Sequence, residues 1–196
     1  MVPPMARRLG KVVIVLLGAA AFGVAVSVLK GNDAGIRDAI GNLSAAWLLL
    51  PFVCGVLVGG GRAFRGAVVG MLATVAALTG FYVSNAFVLD LGLHPWLEDV
   101  NLAIHGEIFW LELGLFSGPI FGALGARWRR TRSIFLVVLI TAFFVFEPLA
   151  WLAYLRTTSA DASWEAVWVC ESLLGLCGCV LAIVLGRRGG GARTQS

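Results

Sequence analysis

Apolar residues fall into six long segments separated by short polar stretches, at about 11–29, 44–60, 66–89, 106–126, 134–155 and 164–186. Each is close to the ~20 residues that a helix needs to cross the hydrocarbon core of a bilayer. The pattern predicts an all-α integral membrane protein, a bundle of six transmembrane helices with both ends on one side. Runs of small residues, AAAFGVA in the first segment, GMLATVAALTG in the third and GPIFGALGA in the fourth, predict close helix contact. Two polar connections carry a helical period of their own. Asp33 is placed to cap a short helix with Ile36, Ile40 and Leu43 on one face. Pro95 is placed to open another, with Trp96, Leu97, Val100 and Ile104 inward and Glu98 and Asp99 outward. Both are expected to be short outer interfacial helices lying over the bundle.

Composition strengthens this reading: 59% of the 196 residues are hydrophobic and 13% charged, with a mean hydropathy of +0.91. Residues 1–186 are expected to form one transmembrane helical domain and 187–196 a disordered basic tail, with no room for a separate soluble catalytic unit. The opening MVPPMARRLGK resembles a secretory signal, but the run behind it is as long as a span and Leu29-Lys30-Gly31 suits no signal peptidase. It reads as the first helix. Cys54, Cys170, Cys177 and Cys179 lie in apolar segments without CxxC spacing and read as small core residues.

Charge sets the orientation. Of the fifteen Lys and Arg, all but Lys30, Arg37 and Arg156 fall at the ends and in the second and fourth connections. By the positive-inside rule both termini are cytoplasmic, and the expected location is the plasma membrane, crossed several times. The net charge of +4 then reflects topology, and no nucleic acid is expected as a partner. None of the eleven Asp and Glu falls in an expected cytoplasmic loop.

Three of these acids lie deep inside apolar segments, more than a turn from either end. At 1.5 Å per residue, Glu112, Glu147 and Glu171 each come to roughly 10 Å below the outer boundary. Rings flank each of them at helical spacing: Phe109 and Phe116 near Glu112, Phe143, Phe144, Trp151 and Tyr154 near Glu147, and Trp164 and Trp168 near Glu171. Phe81, Tyr82 and Asn85 reach the same depth from the third segment. Because lipid-facing carboxylates are costly, the faces are expected to converge on an interior cavity of acids and rings. Pro148 withholds the N–H that the carbonyl of Phe144 would otherwise receive, leaving an acceptor there. One acid of such a layer is expected to stay protonated and to serve as a proton donor.

A carboxylic acid among aromatic faces suits one chemistry directly: protonation of an alkene or epoxide, then ring closure through carbocations held by cation–π attraction. No DDxxD cluster for magnesium-assisted diphosphate ionisation occurs, and neither a metal nor another cofactor is expected. The stretches WLLLPFVCGVLVGG, GRAFRG and SGPIFGALGARWRR, followed by the Glu147 helix, resemble a family of small actinobacterial multi-span membrane proteins. The build is similar to the integral-membrane terpene cyclases of meroterpenoid and indole-terpenoid pathways, including bacterial drimane-forming ones. That resemblance implies Glu147 as general acid, Glu112 and Glu171 as its partners or alternatives, the rings as template, and a lipophilic prenylated (farnesyl-type) substrate. The acids lie toward the outer half, so such a substrate would enter laterally from the bilayer.

Another reading is a substrate-binding or transport subunit. Six helices, outer lids and the AxxxA of Ala21 and Ala25 also resemble the capture subunits of energy-coupling-factor vitamin transporters, which bind a small ligand in the outer half. A proton pathway along the three acids lacks polar residues toward the cytoplasmic side, where the sequence runs LVVLI, GALGA and LAIVLG. His94, His105 and Glu107 make a surface metal site conceivable, although paired loop histidines are more often simply solvated.

Overall fold

The computed structural model describes residues 4–31, 35–88, 95–106, 108–158 and 163–191. Among these there are eight helices and no strand: α1 (Pro4–Lys30), α2 (Ile36–Gly41), α3 (Ser44–Val58), α4 (Ala63–Val88), α5 (Trp96–Gly106), α6 (Ile108–Thr131), α7 (Ile134–Thr158) and α8 (Ser163–Gly191). Helices occupy all six apolar segments, and α2 and α5 stand where the two short helices were expected. Among the described residues, three stretches are long and apolar enough to cross a membrane: Leu9–Lys30, Ile36–Val58 (α2 and α3 with their turn) and Ala63–Phe87. The chain divides into two compact units, Met1–Arg130 and Thr131–Ser196.

Glycine sets the spacing in the first unit. A Cβ on Gly122 of α6 would overlap the carbonyl oxygen of Gly66 and stand 2.7 Å from the Cα of Gly70, both on α4. Gly55 of α3 meets the Gly122 carbonyl in the same way, and Gly118 of α6 packs on Thr74 of α4. The pairs Gly66–Ala126, Gly70–Gly122 and Thr74–Gly118 run in opposite senses along the chain, so α4 and α6 are antiparallel. Helix α1 crosses α4 where a Cβ on Gly23 would strike the Ala77 carbonyl and one on Gly80 would strike that of Ala20. Ala19, Cys54, Val69, Ala73 and Ala77 form the buried core between α1, α3 and α4. Outward faces stay apolar, with Leu17, Phe64 and Phe116 among the exposed residues, as suits helices whose solvent is hydrocarbon.

One end of this unit holds the α3–α4 turn, where Gly60 (φ 61°) and Gly61 (φ 78°) take left-handed conformations that L side chains resist. Arg129 Nη1 of α6 donates to the carbonyls of Val56 and Leu57 at 2.9 and 2.8 Å, capping the α3 C-terminus. At the other end lie α2 and α5. Arg37 of α2 caps α1 with Nε to Leu29 (3.1 Å) and Nη2 to Val28 (2.9 Å). Arg37→Ala is expected to lower stability by about 1–2 kcal/mol, with Arg37→Lys recovering less than half, since an ammonium lacks the fork. Thermal melts in detergent measure it.

The faces of the short helices differ from the expectation. In α2 Ile36 and Ile40 are exposed while Ala39 and Gly41 are buried, because Gly41 lies against Lys30 and leaves no space for a larger side chain. The helix begins after Gly35 without a side-chain cap, and Asp33 lies outside the described residues. In α5 Trp96 and Leu97 are exposed rather than inward, Trp96 stacking on Phe87 at 6.2 Å; Val100 and Ile104 are half-buried.

The second unit is the α7–α8 hairpin. A Cβ on Gly178 would come 2.7 Å from Thr141 Cγ2, and one on Gly175 2.8 Å from Phe144 Cβ. Thr141 Oγ1 also lies 3.0 Å from Cys179 Sγ. The register is antiparallel, and continuing it one turn sets Glu147 opposite Glu171. Helix α8 extends to Gly191, beyond the segment end expected near 186.

Candidate functional site

Glu171 is the buried acid of the second unit, 3% exposed, and neither of its carboxyl oxygens has a hydrogen-bond partner among the described residues. Ser172 Oγ beside it is also buried without one. Glu147 on α7 is half-buried and, by the register of the hairpin, lies across from Glu171. Pro148, next in the chain, is among the most completely buried side chains. A proline in a packed helix leaves a carbonyl one turn back without its usual donor, so this level of the hairpin gathers polar groups in an otherwise apolar pair of helices.

The rings around this level are unevenly placed. Trp168, one turn before Glu171, is 4% exposed; Phe144 is half-buried and Phe143 38% exposed. The side chains of Trp151, Tyr154 and Trp164 lie outside the described residues, as does that of Phe109. Glu112 belongs to the first unit, on α6, where it is exposed, and Phe116 on the same helix is 76% exposed. Within the second unit, the hairpin register sets Glu147 across from Glu171.

Phe81 and Tyr82 are buried in the first unit within a ring cluster the sequence pattern did not assemble. Phe22–Trp47, Trp47–Phe81 and Phe81–Tyr82 meet edge to face at 5.4, 5.6 and 5.4 Å. Lys30 Nζ lies 5.8 Å from the Phe81 ring centroid and 3.9 Å from Asp38 Oδ1. Asn85, one turn from Phe81, is half-buried. Nothing in the apolar period marked Trp47 or Phe22 as partners of Phe81, since they come from different helices. Ser172 was equally silent, because a serine in a span usually bonds its own helix backbone.

Among the described residues no group of three His, Cys, Asp or Glu is placed to hold a metal ion. His94 and Glu107 lie outside those residues, and His105 Nδ1 donates to the Asn101 carbonyl at 2.8 Å. A buried acid facing a second acid can store a proton, pass it to a bound molecule, or hold a basic group; it lacks a nucleophile–base arrangement.

No curated protein and no solved structure shows significant similarity to this chain. A family model described as a family of unknown function (DUF6518) matches residues 2–194, nearly the full length, and the chain belongs to that family.

Proposed function

We propose that the chain is a six-span protein of the plasma membrane with both termini cytoplasmic, in which the Glu147–Glu171 pair protonates an alkene or epoxide of a prenylated, lipophilic substrate and so starts its cyclisation. The observation that carries this reading is Glu171, buried without a hydrogen-bond partner among the described residues, with a second acid facing it. A structural acid would be expected to bond a neighbouring helix. In the proposed step the carboxyl proton forms a C–H bond at the alkene terminus, or an O–H bond as the epoxide C–O bond opens. A second double bond closes the ring on the resulting cation, and a proton lost from carbon returns to the pair. The product is an isomer of the substrate, and Trp168 and Phe144 supply faces that stabilise the passing cation. The orientation rests on the asymmetry of Lys and Arg along the sequence.

Capture of a small ligand by a transport subunit is the second reading, favoured by α2 and α5 lying at one end of the first unit. One experiment separates the two. Membranes holding the wild type or Glu147→Gln are incubated with prenylated indoles and prenylated phenols, and products of unchanged mass are sought by chromatography. Cyclisation predicts an isomer from the wild type and a loss of about a hundredfold or more in the variant. No isomer, together with a thermal shift on adding a small polar ligand, would favour capture.

A further inference from the structure

The geometry points to a second site in the first unit: a cleft of about 360 Å³ lined by Gly60, Gly61, Arg62, Arg129 and Arg130 that binds a phosphate-bearing anion. It belongs to a different unit from the acid pair and does not depend on the reaction proposed for that pair. The cleft forms where the α3–α4 turn meets the last turn of α6. Arg62 precedes α4, and Arg129 and Arg130 lie in the last turn of α6, so three arginines from two elements line it. Its volume is at the lower end of ligand pockets, roughly 300–1,000 Å³.

Three features make it an anion site rather than a solvated patch. First, Arg129 is already positioned, its Nη1 held by the Val56 and Leu57 carbonyls, which fixes the plane of the guanidinium with Nε and Nη2 still available. That bond also neutralises the negative end of α3. Second, α4 begins here: Gly66 N–H donates to the Arg62 carbonyl, so the positive end of that helix lies beside a residue that lines the cleft. Third, no acid lies near the lining residues in the chain, since no Asp or Glu occurs between Asp38 and Asp90 or between Glu112 and Glu147. Gly60 and Gly61 leave the turn without side chains, and a Cβ on Gly61 would sit 3.4 Å from Arg130 Cβ, narrowing the opening.

The forked donors and helix terminus fit a phosphate group, and it has two possible sources: the headgroup of an anionic phospholipid, or a soluble phosphate or diphosphate. The test uses the full chain in neutral detergent, titrated either with inorganic pyrophosphate or with phosphatidylglycerol against phosphatidylcholine, with thermal stability as readout. Arg62→Gln/Arg130→Gln is expected to weaken binding on the order of tenfold or more, while Arg65→Gln, outside the lining, changes it less than about twofold. Arg129 is left in place because it caps α3. A response to pyrophosphate alone assigns a soluble ligand, and one to phosphatidylglycerol alone assigns a lipid; either supports the cleft. Equal binding by wild type and double variant, or no response to either probe, overturns it. Should the double variant melt early without probe, Arg130→Gln alone gives the same comparison.

Discussion

Gly122→Val is expected to abolish folding of the first unit, seen as loss of the monodisperse peak in detergent chromatography. The new side chain meets the backbone of α4: the Gly66 carbonyl and the Gly70 Cα at 2.7 Å. No rotamer relieves a clash that begins at Cβ and ends on main chain. Over-packing of flexible side chains typically costs about 1–3 kcal/mol. Here α4 must move bodily away from α6, separating Gly118 from Thr74 and Gly66 from Ala126, so the loss exceeds that range and is comparable to the whole stability of a small domain. Gly18→Ala, on a face of α1 where a Cβ meets nothing within 4 Å, is the control and should leave the melting temperature unchanged or slightly raised. Equal behaviour of the two variants would show that the close approach of α6 to α4 is not what holds the unit together.

Glu171→Leu is expected to raise thermal stability while removing activity. An ordinary structural acid predicts the reverse sign, because its loss would break hydrogen bonds. Neither oxygen of Glu171 has such a bond among the described residues, and Glu147 faces it, so the native state carries the desolvation of an acid group with little return from the protein. A leucine of similar length should gain about 1–3 kcal/mol, read as a higher melting temperature in the same detergent. Glu171→Gln should keep near-wild-type stability yet lose cyclisation by about two orders of magnitude or more, as expected when a proton-transfer group is removed. Destabilisation by leucine would instead assign Glu171 to packing or to a bond made in the membrane. Natural proteins accept such costs where a site needs a group that the fold does not.

The positions of the long helices were legible in the sequence because lipid imposes a simple rule. A segment that buries its backbone polar groups within itself and turns apolar side chains outward shows as a continuous run about twenty residues long. Hence α1, α3, α4, α6, α7 and α8 follow the six runs, with α1 beginning seven residues earlier and α8 ending five later than expected. The short helices were legible in position and not in facing, since Ala39 and Gly41 were chosen by the space beside Lys30 rather than by hydrophobicity.

Of the acid layer, the expected common level of Glu112, Glu147 and Glu171 came from counting 1.5 Å per residue along each run, whatever their partners; of the three, Glu147 and Glu171 share the second unit. That these two face each other was decided by Gly175 and Gly178, which let α8 close on Phe144 and Thr141 and so set the register of the hairpin. Helical periodicity gives the direction of a side chain relative to its own axis, whereas rotation of one helix against another follows from which small residues let the backbones touch. For the same reason the ring cluster of Phe22, Trp47, Phe81 and Tyr82 and the arginine cleft of the α3–α4 turn emerged only in three dimensions. Each joins residues from separate helices, and a linear pattern carries no term for their meeting.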